Sequence, residues 1–269
     1  MERLEDAFRA LANEERTGVI PFLTVGFPSL EDTPTLVRAL VDGGAHVIEL
    51  GVPFSDPLAD GPTIQRSSSM ALELGVSLET CLTMCGTLRS QGIQVPLVLM
   101  GYYNPIFQYG IQRFALSAKE KGVDGVIVAD LPNEEAYPLR TALDETGVCL
   151  IPLLAPTSTN QRIEAACKNA RGFIYCVSTT GVTGVRNDVP DALPNLITRI
   201  RAHTSLPIAV GFGISQRRHV KSLAQWADAA VVGSALIEII NQASKDHRPY
   251  AVQEFIRELR GEVPLAKEF

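Results

Sequence analysis

Uninterrupted apolar runs recur along this chain, and each is followed by a stretch with helical spacing. The runs are Ile20–Val25, Val47–Leu50, Pro96–Met100, Gly125–Ala129, Cys149–Leu153, Phe173–Val177, Ile208–Val210 and Ala229–Val232. They stay apolar rather than alternating, as strands buried on both faces of a parallel sheet do. Between them, Leu36, Val37, Leu40 and Val41 fall on one helical face behind Thr33-Pro34, which predicts a cap with proline at the first helical position. Ser158 with Gln161 predicts a capping box ahead of Ile163, Ala166 and Cys167. Gly92-Ile93, Gly122-Val123 and Gly147-Val148 each pair a helix-ending glycine with an apolar residue that starts the next strand. Strands alternating with helices predict an α/β fold, a closed (β/α)8 TIM barrel with an extra N-terminal helix over Leu4–Leu11. An open doubly wound sheet is the alternative, but Gly26-Phe-Pro-Ser29 is a poor match to its glycine-rich first turn. No linker, charge block or low-complexity segment divides residues 1–269, so one domain is expected.

Composition agrees with a single barrel: 269 residues, of which 46% are hydrophobic. A net charge of −6 argues against a nucleic-acid partner, which needs clustered Lys and Arg. No run is long and apolar enough to predict a membrane span. The start, Met1-Glu-Arg-Leu-Glu-Asp6, lacks the apolar centre of a signal peptide, so a cytoplasmic location is expected, or the plastid stroma in a plant or alga. The five cysteines show no CxxC. Cys81 and Cys85 share a helical stripe with Leu78, Leu82 and Leu88 and are expected to be core residues.

The chemistry concentrates around the second apolar run. Glu49 sits inside it, and a buried carboxylate needs either a partner or a raised pKa. The loop behind it, Gly51-Val-Pro-Phe-Ser-Asp-Pro-Leu-Ala-Asp-Gly-Pro62, carries a second acid, Asp60. One carboxylate on a rigid strand end and another on the adjoining loop suit acid–base work, although strand-end and turn-forming acids occur without it. Barrel sites form at the carboxyl ends of the strands, which places Phe22, Met100, Tyr102, Asn104 and Tyr175 near these acids. Gly211-Phe-Gly-Ile-Ser215 and Gly233-Ser234 come after the last two runs, where barrels bind phosphate through backbone N–H groups and a helix amino end. The stretch Ser178-Thr-Thr-Gly-Val-Thr-Gly184 has glycines suited to hinging over a ligand. No lysine falls at a strand end, which disfavours a Schiff-base aldolase, and the four histidines do not gather at strand ends to hold a metal. If a carbon–carbon bond is broken here, the substrate has to accept the electrons.

The run Glu49-Leu-Gly-Val-Pro-Phe-Ser-Asp-Pro-Leu-Ala-Asp-Gly-Pro-Thr-Ile-Gln65 resembles the signature of the tryptophan synthase α-subunit family. The likeness continues through Pro21-Phe22, Thr24, Met100-Gly-Tyr-Tyr-Asn104, Val128-Ala-Asp-Leu-Pro132, the 178–184 stretch and the two glycine loops, over nearly the whole chain. It implies retro-aldol cleavage of indole-3-glycerol phosphate to indole and glyceraldehyde 3-phosphate. It further implies Glu49 as the acid–base group and Asp60 as the partner of the ring N–H. Phe22, Met100, Tyr102, Tyr175 and Thr183 would line the substrate pocket, and Gly184, Phe212, Gly213, Gly233 and Ser234 would hold the phosphate. Pro53, Asp56, Pro57, Asn104 and Phe107 resemble the surface that meets a β subunit in an α2β2 complex. Pyridoxal phosphate is expected on that partner, with no cofactor or metal on this chain. A stand-alone indole-releasing lyase is one alternative. A phosphate-binding regulatory barrel and a sugar-phosphate isomerase are others.

Overall fold

The computed structural model describes residues 2–14, 16–177, 192–211 and 213–262. Helix α1 (Glu2–Glu14) precedes strand β1 (Gly18–Thr24), and a regular alternation begins there. It runs through α2 (Asp32–Asp42), β2 (Ile48–Gly51), α3 (Pro62–Glu73), α4 (Leu78–Ser90), β3 (Leu97–Gly101), α5 (Tyr103–Tyr109), α6 (Ile111–Glu120) and β4 (Gly125–Val128). The second half comprises α7 (Tyr137–Thr146), β5 (Cys149–Leu150), β6 (Leu153–Leu154), α8 (Asn160–Asn169), β7 (Ile174–Val177), α9 (Ala192–Arg201) and β8 (Ile208–Gly211). Helix α10 (Arg217–Leu223), β9 (Ala229–Val232), α11 (Ser234–Gln242) and α12 (Arg248–Arg260) complete it.

All strand pairs are parallel, in the order β5-β4-β3-β2-β1-β9-β8-β7-β6. The two edges of this sheet are consecutive in the chain and separated only by Ile151-Pro152, so the sheet has to curl round on itself. The expected barrel is therefore present, with its seam inside the fifth predicted strand. That strand, expected as one run over Cys149–Leu153, is two short pieces. Proline has no N–H for a ladder. The Ile151 N–H still bonds the Val126 carbonyl at 2.9 Å, and the Pro152 carbonyl turns to the Tyr175 N–H at 3.0 Å.

Inside the barrel, Ile20, Val98, Ile127, Ile151, Phe173, Ala209, Ala229 and Val231 form one core with Leu4, Phe8 and Leu11 of α1. The N-terminal helix thus plugs the end of the barrel at which the strands begin. A Cβ on Gly18 would lie 2.5 Å from Leu11 Cδ1, so the leucine of the plug packs directly against the glycine. A second, larger core fills the space between the sheet and the outer helices, and it holds Cys81, Cys85, Leu78, Leu82 and Leu88 of α4. All five cysteines are free and buried, as core residues should be.

Two predicted caps differ in the structure. Thr33 is already inside α2, and its hydroxyl accepts the Gly26 N–H at 3.1 Å, tying the loop after β1 to the helix. At α8 the cap is Thr159, which accepts the Arg162 N–H at 3.3 Å, while Ser158 turns back to the Ala155 N–H. In both places several hydroxyl-bearing residues compete for the first turn, and loop geometry decides between them. The predicted helix exit at Gly147 is left-handed, with φ of 78°. At the plugged end, Asp124 is almost fully buried and accepts from Leu97 N–H at 2.9 Å, Arg89 at 2.5 Å and Arg3 at 2.9 Å.

Candidate active site

Glu49 is the second residue of β2 rather than its end, in register with Phe22 of β1 and Val98 of β3. Its side chain is 1% exposed, and neither carboxylate oxygen has a hydrogen-bond partner among the described residues. Burial, reinforced by the nearby charge of Asp60, raises its pKa from 4.5 to about 8. Glu49 is thus protonated at neutral pH. A Cβ on Gly51 would lie 2.4 Å from Phe22 Cζ, so the Phe22 ring occupies space that only glycine leaves open.

Asp60, on the loop between β2 and α3, is held by Tyr102, the residue after β3. Tyr102 donates its hydroxyl to Asp60 Oδ2 at 3.0 Å and accepts the Ala59 N–H at 3.1 Å. The Tyr102 ring stacks on Phe54 with centroids 4.9 Å apart. Burial raises the Asp60 pKa, and the Tyr102 hydrogen bond opposes that shift. Tyr175 of β7 belongs to the same group. Burial, then the charges of Glu49 and Asp60, push its phenol well above the ordinary range, so it stays neutral. Gly211 makes room for it, since a Cβ there would lie 2.6 Å from the Tyr175 hydroxyl oxygen. Met100 is half-buried at the end of β3, paired with Gly51.

The glycine loops lie after β8 and β9. Gly213 has φ of 37°, a conformation that side chains rarely adopt. Gly233 is the N-cap of α11 and supplies no side-chain cap to the first N–H groups of that helix. Packing does not demand glycine at 233, because an added Cβ would meet only Phe22 and Ile64 at 3.6 and 3.7 Å. Ser234 is the first residue of α11. Ser215 Oγ in the same region is buried without a partner among the described residues; as a single residue it does not stand out in the sequence, because a serine in a glycine loop reads as a turn former. Thr183, Gly184 and Phe212, together with the rest of the 178–184 stretch, lie outside the described residues.

The expected docking residues lie on neighbouring segments. Pro53 is buried, Pro57 half-buried, and Asp56 and Asn104 are exposed. Phe107 on α5 is 58% exposed, and Leu58, which no pattern in the sequence marked out, is 90% exposed. A cavity of about 280 Å³ lined by the loop after β4, the β5–β6 segment and α8 shares no residue with this site.

A family model described as tryptophan synthase alpha chain matches residues 8–263. The chain belongs to the tryptophan synthase alpha chain family. It is similar to the alpha chain of Roseiflexus castenholzii, 47% identical over 97% of this chain and 100% of that one. A yeast protein named tryptophan synthase is 42% identical over 95% of this chain, which is 36% of that longer protein. Among solved structures, Mycobacterium tuberculosis tryptophan synthase aligns with a TM-score of 0.89 at 35% identity, covering 98% of this chain and 99% of that one. The Legionella pneumophila alpha chain aligns at 0.86 and 34%, covering 96% and 95%. Membership makes this chain a carbon–carbon lyase of tryptophan biosynthesis that cleaves indole-3-glycerol phosphate.

Proposed function

We propose that Glu49 and Asp60 divide the lyase chemistry between them. Glu49, as the neutral acid, gives its proton to the indole carbon that bears the glycerol chain. The ring becomes cationic, and the carboxylate of Asp60 faces its N–H and offsets the charge. Glu49, now ionised, removes the proton of the glycerol hydroxyl next to the ring. The carbon–carbon bond then breaks, its electron pair returns to the ring, and indole and glyceraldehyde 3-phosphate leave. Glu49 ends the cycle as it began, protonated. Because protonated indole takes up the electrons, the step needs no cofactor in this chain.

The observation that carries this reading is the isolation of Glu49: buried and without a partner among the described residues, so that burial raises its pKa towards neutrality. A group poised there can donate a proton and take one back near neutral pH. Phe22, Met100, Tyr102, Tyr175 and Thr183 would enclose the indole ring. Gly184, Phe212, Gly213, Gly233 and Ser234 would hold the phosphate through backbone N–H groups and the amino end of α11. The test is turnover of indole-3-glycerol phosphate by Glu49→Gln, whose amide can neither give nor take the proton. Turnover near wild type would remove Glu49 from the mechanism.

The partner reading rests on a different surface. Leu58 and Phe107 expose large apolar side chains on the segments that also carry Pro53, Asp56, Pro57 and Asn104. These would dock a β subunit bearing pyridoxal phosphate, in an α2β2 assembly that receives the indole. The length of the yeast protein supports a second part beside an alpha-like region. Sedimentation of the chain with a β subunit should show a complex that Phe107→Asp weakens. Unchanged assembly by that variant would place the interface elsewhere.

A further inference from the structure

We infer that Tyr102 is a positioning residue for the lyase reaction, its hydroxyl fixing the Asp60 carboxylate and its ring clamping the loop that carries it. The inference rests on the role proposed for Asp60. That acid sits on a loop of irregular backbone, half-buried. Among the described residues no loop side chain bonds its carboxylate, and the Asp60 carbonyl accepts from the Gln65 side chain of α3 at 2.9 Å. Tyr102 supplies the missing contact from the junction of β3 and α5. Its ring stacks on Phe54 near the start of the loop, and its hydroxyl reaches Ala59 N–H and Asp60 Oδ2 near the end.

The hydroxyl uses both of its capacities here, accepting one hydrogen bond and donating the other. Burial keeps the phenol protonated, so it remains a donor to Asp60. One carboxylate oxygen is thereby committed, and Oδ1 is left for the ring N–H. The same contact favours the ionised form of Asp60 against the burial that opposes it. Tyr102 is itself held firmly: it is 4% exposed and caps α5, whose first N–H, at Tyr103, bonds Asp130 Oδ1 at 2.7 Å. The aromatic ring thus does more than form a wall of the pocket.

The test is Tyr102→Phe, which keeps the Phe54 stack and removes only the hydroxyl, assayed beside Asp60→Asn and the double variant. The expected result is a fall in kcat of about tenfold to a hundredfold, the scale of one hydrogen bond to a charged group. KM should change little. The acid limb of the kcat profile should move to higher pH, because Asp60 loses the bond that favours its ionised form. In the Asp60→Asn background the Tyr102→Phe change should cost little further. Wild-type kcat and acid limb in Tyr102→Phe, or an equal loss in both backgrounds, would overturn the inference. If Asp60→Asn alone keeps full activity, the role proposed for Asp60 fails instead, and the two failures are told apart by that single variant.

Discussion

Two buried carboxylates flank β3 in this barrel, Glu49 within β2 and Asp124 just before β4, and their surroundings differ completely. Asp124, at the plugged end, is 2% exposed and accepts from a backbone N–H and two arginines. Glu49, within β2, is 1% exposed and accepts from nothing among the described residues. A buried charge that is hydrogen-bonded and paired holds structure together, here α1 and α4 to the starts of β3 and β4. A buried acid without partners stays protonated and leaves its proton available to a ligand. Equal burial therefore says little about role; the partner inventory separates them.

The most severe test of this contrast is to neutralise each acid in turn. Glu49→Gln should lower kcat by at least about 10²–10⁴-fold, the usual contribution of a positioned acid–base group, with little change in stability at pH 7. Asp124→Ala should do the reverse. It leaves Arg89, 13% exposed, without its carboxylate and should destabilise by about 3–5 kcal/mol, while the folded fraction turns over normally. Urea unfolding and steady-state assays on both variants would check the pair. A stable Asp124→Ala protein with impaired kcat would erase the distinction.

A smaller effect concerns pH. Glu49 has a folded pKa of about 8 against an ordinary 4.5, so its protonated form is favoured by folding. The stability it contributes is fully present below about 4.5 and is lost as pH rises through about 8. Unfolding free energy of the wild type should therefore decline across that window more than that of Glu49→Gln. Parallel curves for the two proteins would show that Glu49 is not held protonated. In catalysis, kcat/KM should fall as pH rises through the same value.

The smallest expected change bears on the cause of the Glu49 shift. Burial dominates that shift and the Asp60 charge adds to it. Asp60→Asn should accordingly move the basic limb of kcat/KM only slightly downward, on a reduced residual rate. A large move would mean that the charge of Asp60, rather than burial, controls Glu49.

Much of this was legible along the chain. Ala229–Val232 is a strand over the predicted residues, and the other apolar runs differ mainly by a residue or two at their ends. Glu49 could be found because an acid inside an apolar run is a local anomaly. Local pattern did not reveal the break at Pro152 or which hydroxyl caps α8, because both depend on where neighbouring backbone groups lie. The clamp on Asp60 was equally hidden, since its donor is 42 positions away.

Pattern along the chain was enough to set the alternation of elements, the barrel class and the position of the two acids on a strand and its loop. These depend on periodicity, turn chemistry and the cost of burying charge, which act between near neighbours. That Asp124 finds Arg3 and Arg89, that Glu49 finds no partner among the described residues, and that Tyr102 holds Asp60 was left to the folded arrangement. Hydrogen bonds and desolvation depend on which groups meet in space. Arg3 and Asp124 are 121 residues apart and meet because the closed sheet brings α1 beneath the barrel.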